Sequence, residues 1–189
     1  MSENQATTDG VRRDLPRPFC VIATQNPIEY HGTYPLPEAQ MDRFNMRITL
    51  GYPDLSHEME ILFSQNTRHP FDSLKPVVAT GAVLKLQEQV KTVRFDRAIA
   101  DYVLRLVHAT RIDNRLRLGI SPRGSLALYR SAQARALYLG RDYVLPEDVH
   151  TLAIPVLAHR ILLDTKSKYG GLMSQQIVEE LLDKTPVPR

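Results

Sequence analysis

Cysteine, long apolar runs and blocks of like charge are all scarce in this sequence, and each scarcity excludes a class of protein. Cys20 is the single cysteine, so an intrachain disulfide and an all-cysteine metal site are excluded, and a reducing compartment is favoured. No apolar run approaches the about 18 residues that a membrane helix needs. The polar start MSENQATTDG lacks the apolar core of a signal peptide, so we expect a cytoplasmic protein without a membrane segment.

The charge of the chain is small and evenly spread. The net charge is +3 and the isoelectric point is about 9.1. Basic residues alternate with prolines and acids, and no block of five like charges occurs. A nucleic-acid-binding surface normally shows clustered basic residues, so we expect no nucleic-acid partner. A DNA-binding helical domain would rest only on the isoelectric point and on several short helices.

Recognisable catalytic and metal motifs are also missing. The segment 119–125 has the glycine spacing of a phosphate-binding loop, but it lacks the lysine and does not follow a buried strand. No acidic pair follows an apolar run, as a Mg²⁺-binding Walker B motif would require. His57-Glu58 begins like a zinc-protease helix, but position 61 is isoleucine, and no other histidines have metal-ligand spacing. Cys20 is interpreted as a small buried side chain rather than a nucleophile.

The first third of the chain has the pattern of an α/β sheet. Asp9-Gly10 predicts a tight hairpin between two short strands. The apolar run 19–24 predicts a strand buried on both faces, and the run 44–50 predicts a second strand. Between them, Pro37 and Glu38 predict the start of a short helix. Two strands do not form a stable open sheet, so this part resembles a piece of a larger one.

The rest of the chain has a helical pattern. Ile99, Tyr102, Val103, Leu106 and Val107 follow the spacing of a core-facing helix. The other predicted helices, recognised by capping residues, prolines and glycines, begin at Asp54 or Ser56, at Gly81, at Ser121-Pro122 with an end at Gly140, at Pro146 with an end at Pro155, and at Ser174. The sequence therefore predicts an all-helical domain after residue 53.

Three polar residues occupy positions that suit a catalytic or ligand-binding role. Asn26 follows the first predicted strand, Arg43 precedes the second, and Arg123 lies in the first turn of a helix, where a cation opposes the helix dipole. Each also has an ordinary interpretation. Asn26 suits a turn before proline, Arg43 suits a surface pair with Asp42 or Glu38, and Arg123 suits a solvated side chain. Residue types and spacing alone leave both interpretations open.

The segment from Ala23 to Phe44, ATQNPIEYHGTYPLPEAQMDRF, closely resembles a signature of the MoxR family of AAA+ ATPases. Further segments resemble later signatures of that family: GISPRG at 119–124, YVLPEDV at 143–149 and VLAHR at 156–160. The resemblance covers nearly the whole chain. It implies the C-terminal piece of a P-loop AAA+ sheet, an α/β fragment at residues 1–53, followed by an all-α lid domain at residues 54–189, mostly helical overall.

The resemblance also implies a role for each polar candidate. Asn26 matches sensor 1, Arg43 matches the arginine finger that reaches the ATP of a neighbouring subunit, and Arg123 matches sensor 2 in the lid. The Asp9-Gly10 hairpin matches the pre-sensor 1 hairpin. ATP and Mg²⁺ are the implied cofactors. The implied partners are further copies of the protein in a hexameric ring, a von Willebrand factor A-domain protein and a client protein that is remodelled or activated in a chaperone-like way.

One departure from the family pattern limits what this chain does alone. A complete family member carries Walker A and Walker B motifs before the point at which this sequence begins, and neither motif occurs here. We therefore expect this chain by itself neither to bind nor to hydrolyse ATP. The alternative function is a non-catalytic protein-binding or assembly module built from the helical lid.

Overall fold

The computed structural model describes residues 5–25, 36–64 and 70–188. The strands form two antiparallel pairs: β1 (Gln5–Thr8) with β2 (Val11–Asp14), and β3 (Leu116–Leu118) with β4 (Leu162–Leu163). The α-helices are α1 (Glu38–Met41), α2 (Leu55–Ser64), α3 (Thr80–Thr92), α4 (Arg97–Ile112), α5 (Pro122–Tyr138), α6 (Pro146–Leu157), α7 (Thr165–Tyr169) and α8 (Ser174–Lys184). A 3-10 turn lies at Pro70–Ser73.

The hairpin predicted from Asp9-Gly10 is confirmed. β1 and β2 pair from Gln5 opposite Asp14 to Thr8 opposite Val11. Asp9 and Gly10 both have positive φ, 53° and 77°, as a two-residue type I′ turn requires. Aspartate and glycine tolerate this left-handed conformation better than other residues, so the turn follows directly from the sequence.

The core lies in a bundle formed by α4, α5, α6 and α8, called here the helical bundle. Every residue of the predicted α4 stripe is buried. α5 packs against α4 and α6, while α8 closes the bundle against α4 and α6. The largest fully buried apolar side chains include Tyr102 and Leu106 from α4, Leu128 from α5, Leu157 from α6 and Ile177 from α8. Their burial is the main source of the bundle's stability.

Most of the predicted helix boundaries in the bundle are confirmed. The Ser121 side chain caps α5, Pro122 is its first residue, and Gly140 follows its end with φ of 75°. The predicted break at Pro155 is wrong, because α6 continues through it to Leu157. Pro155 lies in the last turn, where its missing N–H removes a single helical hydrogen bond. The two residues after it are fully buried, and this burial keeps the turn helical.

The two strands predicted at 19–24 and 44–50 are not formed, which corrects the sequence analysis. Neither segment pairs with another strand among the described residues, and apolar side chains on both are exposed: Ile22 is 89% and Leu50 91% accessible. Cys20, expected to be buried, is exposed. A strand needs hydrogen bonds from a neighbour. The second segment instead lies against α6, where the N–H of Arg47 donates to the carbonyl of Pro155 at 2.8 Å.

Three short elements, β3, β4 and α7, were not predicted. β3 and β4 join the segment before α5 to the segment after α6, and α7 follows with its N-terminus capped by Asp164. All three are too short to produce a periodic pattern in the sequence. Within the three described ranges, none of the helices has the length and the apolar character that crossing a bilayer requires.

Candidate functional site

Two of the three predicted site residues lie in the part of the chain that the structure describes. Asn26 lies outside it. Arg43 lies on the turn that follows α1, and Arg123 lies in the first turn of α5. Both arginine side chains are exposed. Arg123 lies in the first turn of a helix and Arg43 follows a short helix, as predicted, but the strand expected directly after Arg43 is not formed. The roles of all three residues stay predictions.

The segment that leads into α5 is fixed on α4 through its backbone. The N–H of Ile120 donates to the Thr110 hydroxyl at 3.0 Å, and Nε of Arg111 donates to the Ile120 carbonyl at 2.9 Å. Gly119 approaches α4 so closely that a Cβ would lie 2.7 Å from the carbonyl oxygen of Thr110. This is too short for any side chain, so the glycine lets the start of α5 sit directly on α4.

The start of α5 presents Arg123 to solvent. Ser121 caps the helix by accepting a hydrogen bond from the N–H of Gly124 at 3.3 Å. Arg123 makes no ion pair or side-chain hydrogen bond with any other described residue. A free guanidinium beside a helix N-terminus is suited to an anion such as phosphate, because both the charge and the helix dipole attract it.

Arg43 does not form the surface ion pair with Asp42 or Glu38 that was its alternative interpretation. The Glu38 carboxylate lies 3.6 Å from Arg117, and the Asp42 carboxylate lies 3.2 Å from Nε of Arg160. Both acidic neighbours of Arg43 are thus engaged by other arginines. Within the described ranges, the Arg43 guanidinium has no partner and remains available to a group outside these residues.

A buried arginine that the sequence analysis did not single out fixes the turn at residues 42–45. The side chain of Arg160 is 1% exposed. Its guanidinium donates to the carbonyl of Asn45 at 3.1 Å, and it also contacts the carbonyls of Phe44 and Val156. Burial lowers the pKa of Arg160, and the charge of Asp42 opposes this shift. The signal available in the sequence was a basic residue three positions after the apolar end of α6.

His159 supports the same turn from the neighbouring position. Its Nε2 lies 3.2 Å from the carbonyl oxygen of Phe44. A carbonyl only accepts, so Nε2 carries the proton in this contact. Burial lowers the pKa of His159, and the nearby charge of Arg160 lowers it further. The neutral imidazole is therefore the form that supports the turn carrying Arg43.

Comparison with known proteins identifies both parts of the chain. The family described as the ATPase family associated with various cellular activities (AAA) matches residues 1–46, and the AAA lid domain family matches residues 108–181. The uncharacterized protein YeaC of Bacillus subtilis is 45% identical over the whole chain. The chaperone MoxR1 of Mycobacterium tuberculosis is 37% identical, again over the whole chain.

A solved structure from Cytophaga hutchinsonii, described as a "putative ATPase", matches the whole chain with a TM-score of 0.89 at 36% identity. The chain spans 59% of the length of YeaC, 52% of MoxR1 and 60% of the solved chain. The signature segments, the lid helices and these relatives agree with one another. The chain belongs to the MoxR family of AAA+ ATPases.

Proposed function

We propose that this chain supplies the sensor, arginine-finger and lid part of a MoxR-type ATPase. Arg43 acts on the ATP of a neighbouring subunit, Arg123 contacts the nucleotide from the lid of its own subunit, and Asn26 orients the attacking water. The observation that carries the proposal is that Arg43 and Arg123 are both available to bind a group outside the described residues. Each guanidinium is exposed and unpaired within the described ranges, on backbone that is itself firmly held.

The chemistry of phosphoryl transfer suits this arrangement. Negative charge on the equatorial oxygens of the transferred phosphoryl group has to be neutralised, and the attacking water has to be placed in line. Guanidinium groups bind such oxygens in a defined geometry. Held on a rigid backbone, they need little reorganisation during the reaction, which is the basis of electrostatic catalysis. ATP and Mg²⁺ would be held mainly by Walker A and Walker B motifs supplied from outside these residues.

The assembly proposed for this function is a ring of identical subunits, a hexamer in our working hypothesis. An arginine that acts on a neighbouring subunit requires an assembly of subunits, and a closed ring gives every site such a neighbour. The name of the chaperone MoxR1 supports a chaperone-like remodelling of client proteins. A von Willebrand factor A-domain protein as partner, and a cytoplasmic location, stay predictions from the sequence.

We also propose that the chain divides near residue 53, with a helical lid domain at 54–189. The buried apolar cluster supports the division, since its described members run from Val93 to Leu182. Limited proteolysis should therefore leave a resistant fragment that contains residues 93–182, because cleavage needs locally unfolded backbone. Mass spectrometry of the fragments checks this. Early cleavage throughout the bundle, with residues 5–53 protected, would contradict the proposed division.

Calorimetric titration tests the division of labour in nucleotide binding. Titration of this chain with Mg-ATP should give no binding heat into the millimolar range. The phosphate-binding loop supplies most phosphate contacts in such a site, and this sequence does not contain that loop. An exposed arginine alone binds phosphate weakly in water. Joined to a half that carries Walker A and Walker B, the chain should take part in ATP hydrolysis. Micromolar binding by the chain alone would show that its nucleotide site is different from the one proposed.

A further inference from the structure

One aspartate connects the two proposed nucleotide-contacting regions of the chain. The Asp42 carboxylate accepts a hydrogen bond from the Ser121 hydroxyl, which lies 3.1 Å and 3.2 Å from its two oxygens. The same carboxylate lies 3.2 Å from Nε of Arg160. Asp42 directly precedes Arg43, and Ser121 caps the helix that carries Arg123. A single side chain therefore touches both structural units that present the arginines.

The connection is reinforced at several points. Nη2 of Arg160 lies 3.5 Å from the carbonyl of Asp42, so the arginine holds both the side chain and the backbone of this residue. The amide of Asn45 donates to the hydroxyl of Ser131 in α5 at 3.1 Å. Arg160 passes close to Gly124, where a Cβ would lie only 3.1 Å from Cδ of Arg160. The missing side chain of this glycine leaves room for the arginine. The turn at 42–45 is thus packed onto α5 as well as onto the end of α6.

We propose that Asp42, Ser121 and Arg160 form a clamp that couples the position of Arg43 to that of α5. The proposal rests on the proposed function. Through this clamp, a movement of the α5 start when Arg123 meets a phosphate in its own subunit also moves Arg43, which faces the next subunit. The three clamp residues are positioning residues: they touch no nucleotide and act through the two arginines.

Electrostatics gives the clamp a reason to respond to nucleotide. Burial is the main reason why the pKa of Arg160 is lowered, and the charge of Arg123 adds a smaller decrease, so the two guanidinium groups repel each other. A phosphate bound at Arg123 neutralises this repulsion. Without this repulsion, the charged Arg160 is held more favourably in its buried position beside Asp42, and the turn that carries Arg43 is held more firmly. This differential interaction is what a ligand needs in order to shift a conformational equilibrium.

Hydrogen exchange on this chain tests the clamp independently of any enzyme activity. Asp42→Asn keeps the shape of the side chain but removes its charge, and Ser121→Ala removes the hydroxyl. Both should speed exchange of the hydrogen-bonded amides in residues 43–47, those of Arg43, Phe44 and Arg47, by about tenfold, which corresponds to about 1.4 kcal/mol. Asp96→Ala is the matched control for cap loss, because Asp96 caps α4 through Ala98 and contacts neither the turn nor α5. Unchanged exchange at 43–47 in both clamp variants would overturn the proposal.

Turnover kinetics in the complete ATPase distinguish positioning from simple structural support. Asp42→Asn should lower kcat at saturating ATP at least about tenfold in the otherwise natural protein, but have little further effect in an Arg43→Ala background. An equal loss in both backgrounds would show that Asp42 does not act through Arg43, and would overturn the proposal. Full activity of Arg43→Ala alone would instead refute the finger role, and the hydrogen-exchange result would still decide whether the clamp exists.

Discussion

Replacement of Arg43 by alanine in the complete ATPase is expected to reduce ATP turnover by roughly 10³–10⁵-fold, while ATP affinity remains nearly unchanged. An arginine finger meets charge that is greatest in the transition state, so its loss affects the chemical step more than binding. Single-turnover hydrolysis measures the first quantity, and equilibrium titration with a fluorescent ATP analogue measures the second.

Arg117→Ala is the matched control for this prediction. Arg117 is also an exposed arginine, and it makes only a loose contact of 3.6 Å with Glu38. An exposed pair of this kind contributes little to stability, so turnover should remain within about twofold of the unmodified protein. Comparable losses in Arg43→Ala and Arg117→Ala would indicate a general electrostatic effect. Full activity of Arg43→Ala would contradict the proposed finger.

The second large effect is expected in the core of the helical bundle. Leu106 is fully buried on α4, so Leu106→Ala leaves a cavity and removes apolar contacts. We expect the free energy of unfolding to fall by about 2–5 kcal/mol. Urea denaturation followed by circular dichroism at 222 nm, the usual helical signal, measures this change through the midpoint and slope of the transition.

Leu104→Ala provides the comparison on the same helix. Leu104 is 58% exposed, and the substitution keeps the helix propensity high. The free energy of unfolding should change by less than about 0.5 kcal/mol. Equal destabilisation by the two substitutions would contradict the packing of α4 described here. A large loss for Leu106→Ala alone would support α4 as the centre of the bundle.

The helical part of the fold could be predicted because its signals are local. The α4 stripe repeats at helical spacing, Ser121-Pro122 specifies the start of α5, and Asp9-Gly10 specifies a two-residue turn. Each of these patterns depends on residues that lie within a few positions of one another. Local sequence therefore determines them before any long-range packing is known.

The predicted strands failed for the opposite reason. The apolar runs at 19–24 and 44–50 have strand character, but a strand also requires a partner with which to exchange hydrogen bonds. No described residue provides one, and Ile22 and Leu50 remain exposed. The sequence of one segment indicates whether that segment prefers an extended conformation. It does not indicate whether a second strand lies beside it.

The candidate site shows the same limit. Arg43 and Arg123 were identified through the family resemblance, but the clamp was not, because Asp42 lies 79 residues from Ser121 and 118 residues from Arg160. No spacing rule connects positions so far apart. The surface pair expected for Arg43 illustrates this, since Asp42 instead pairs with Arg160 and Glu38 lies nearer to Arg117.

Mixed rings provide the most direct measurement of the central claim that Arg43 acts on a neighbouring subunit and Arg123 on its own. Subunits with Arg43→Ala are combined with subunits that lack the Walker A lysine, and the ATPase rate is measured across mixing ratios. At some interfaces the lysine variant supplies Arg43 and the Arg43→Ala subunit supplies the Walker A lysine, so ATPase activity should return. Arg123→Ala subunits mixed with the same lysine variant should recover much less, because neither subunit has a complete site of its own. Equal recovery in the two mixtures would contradict the account.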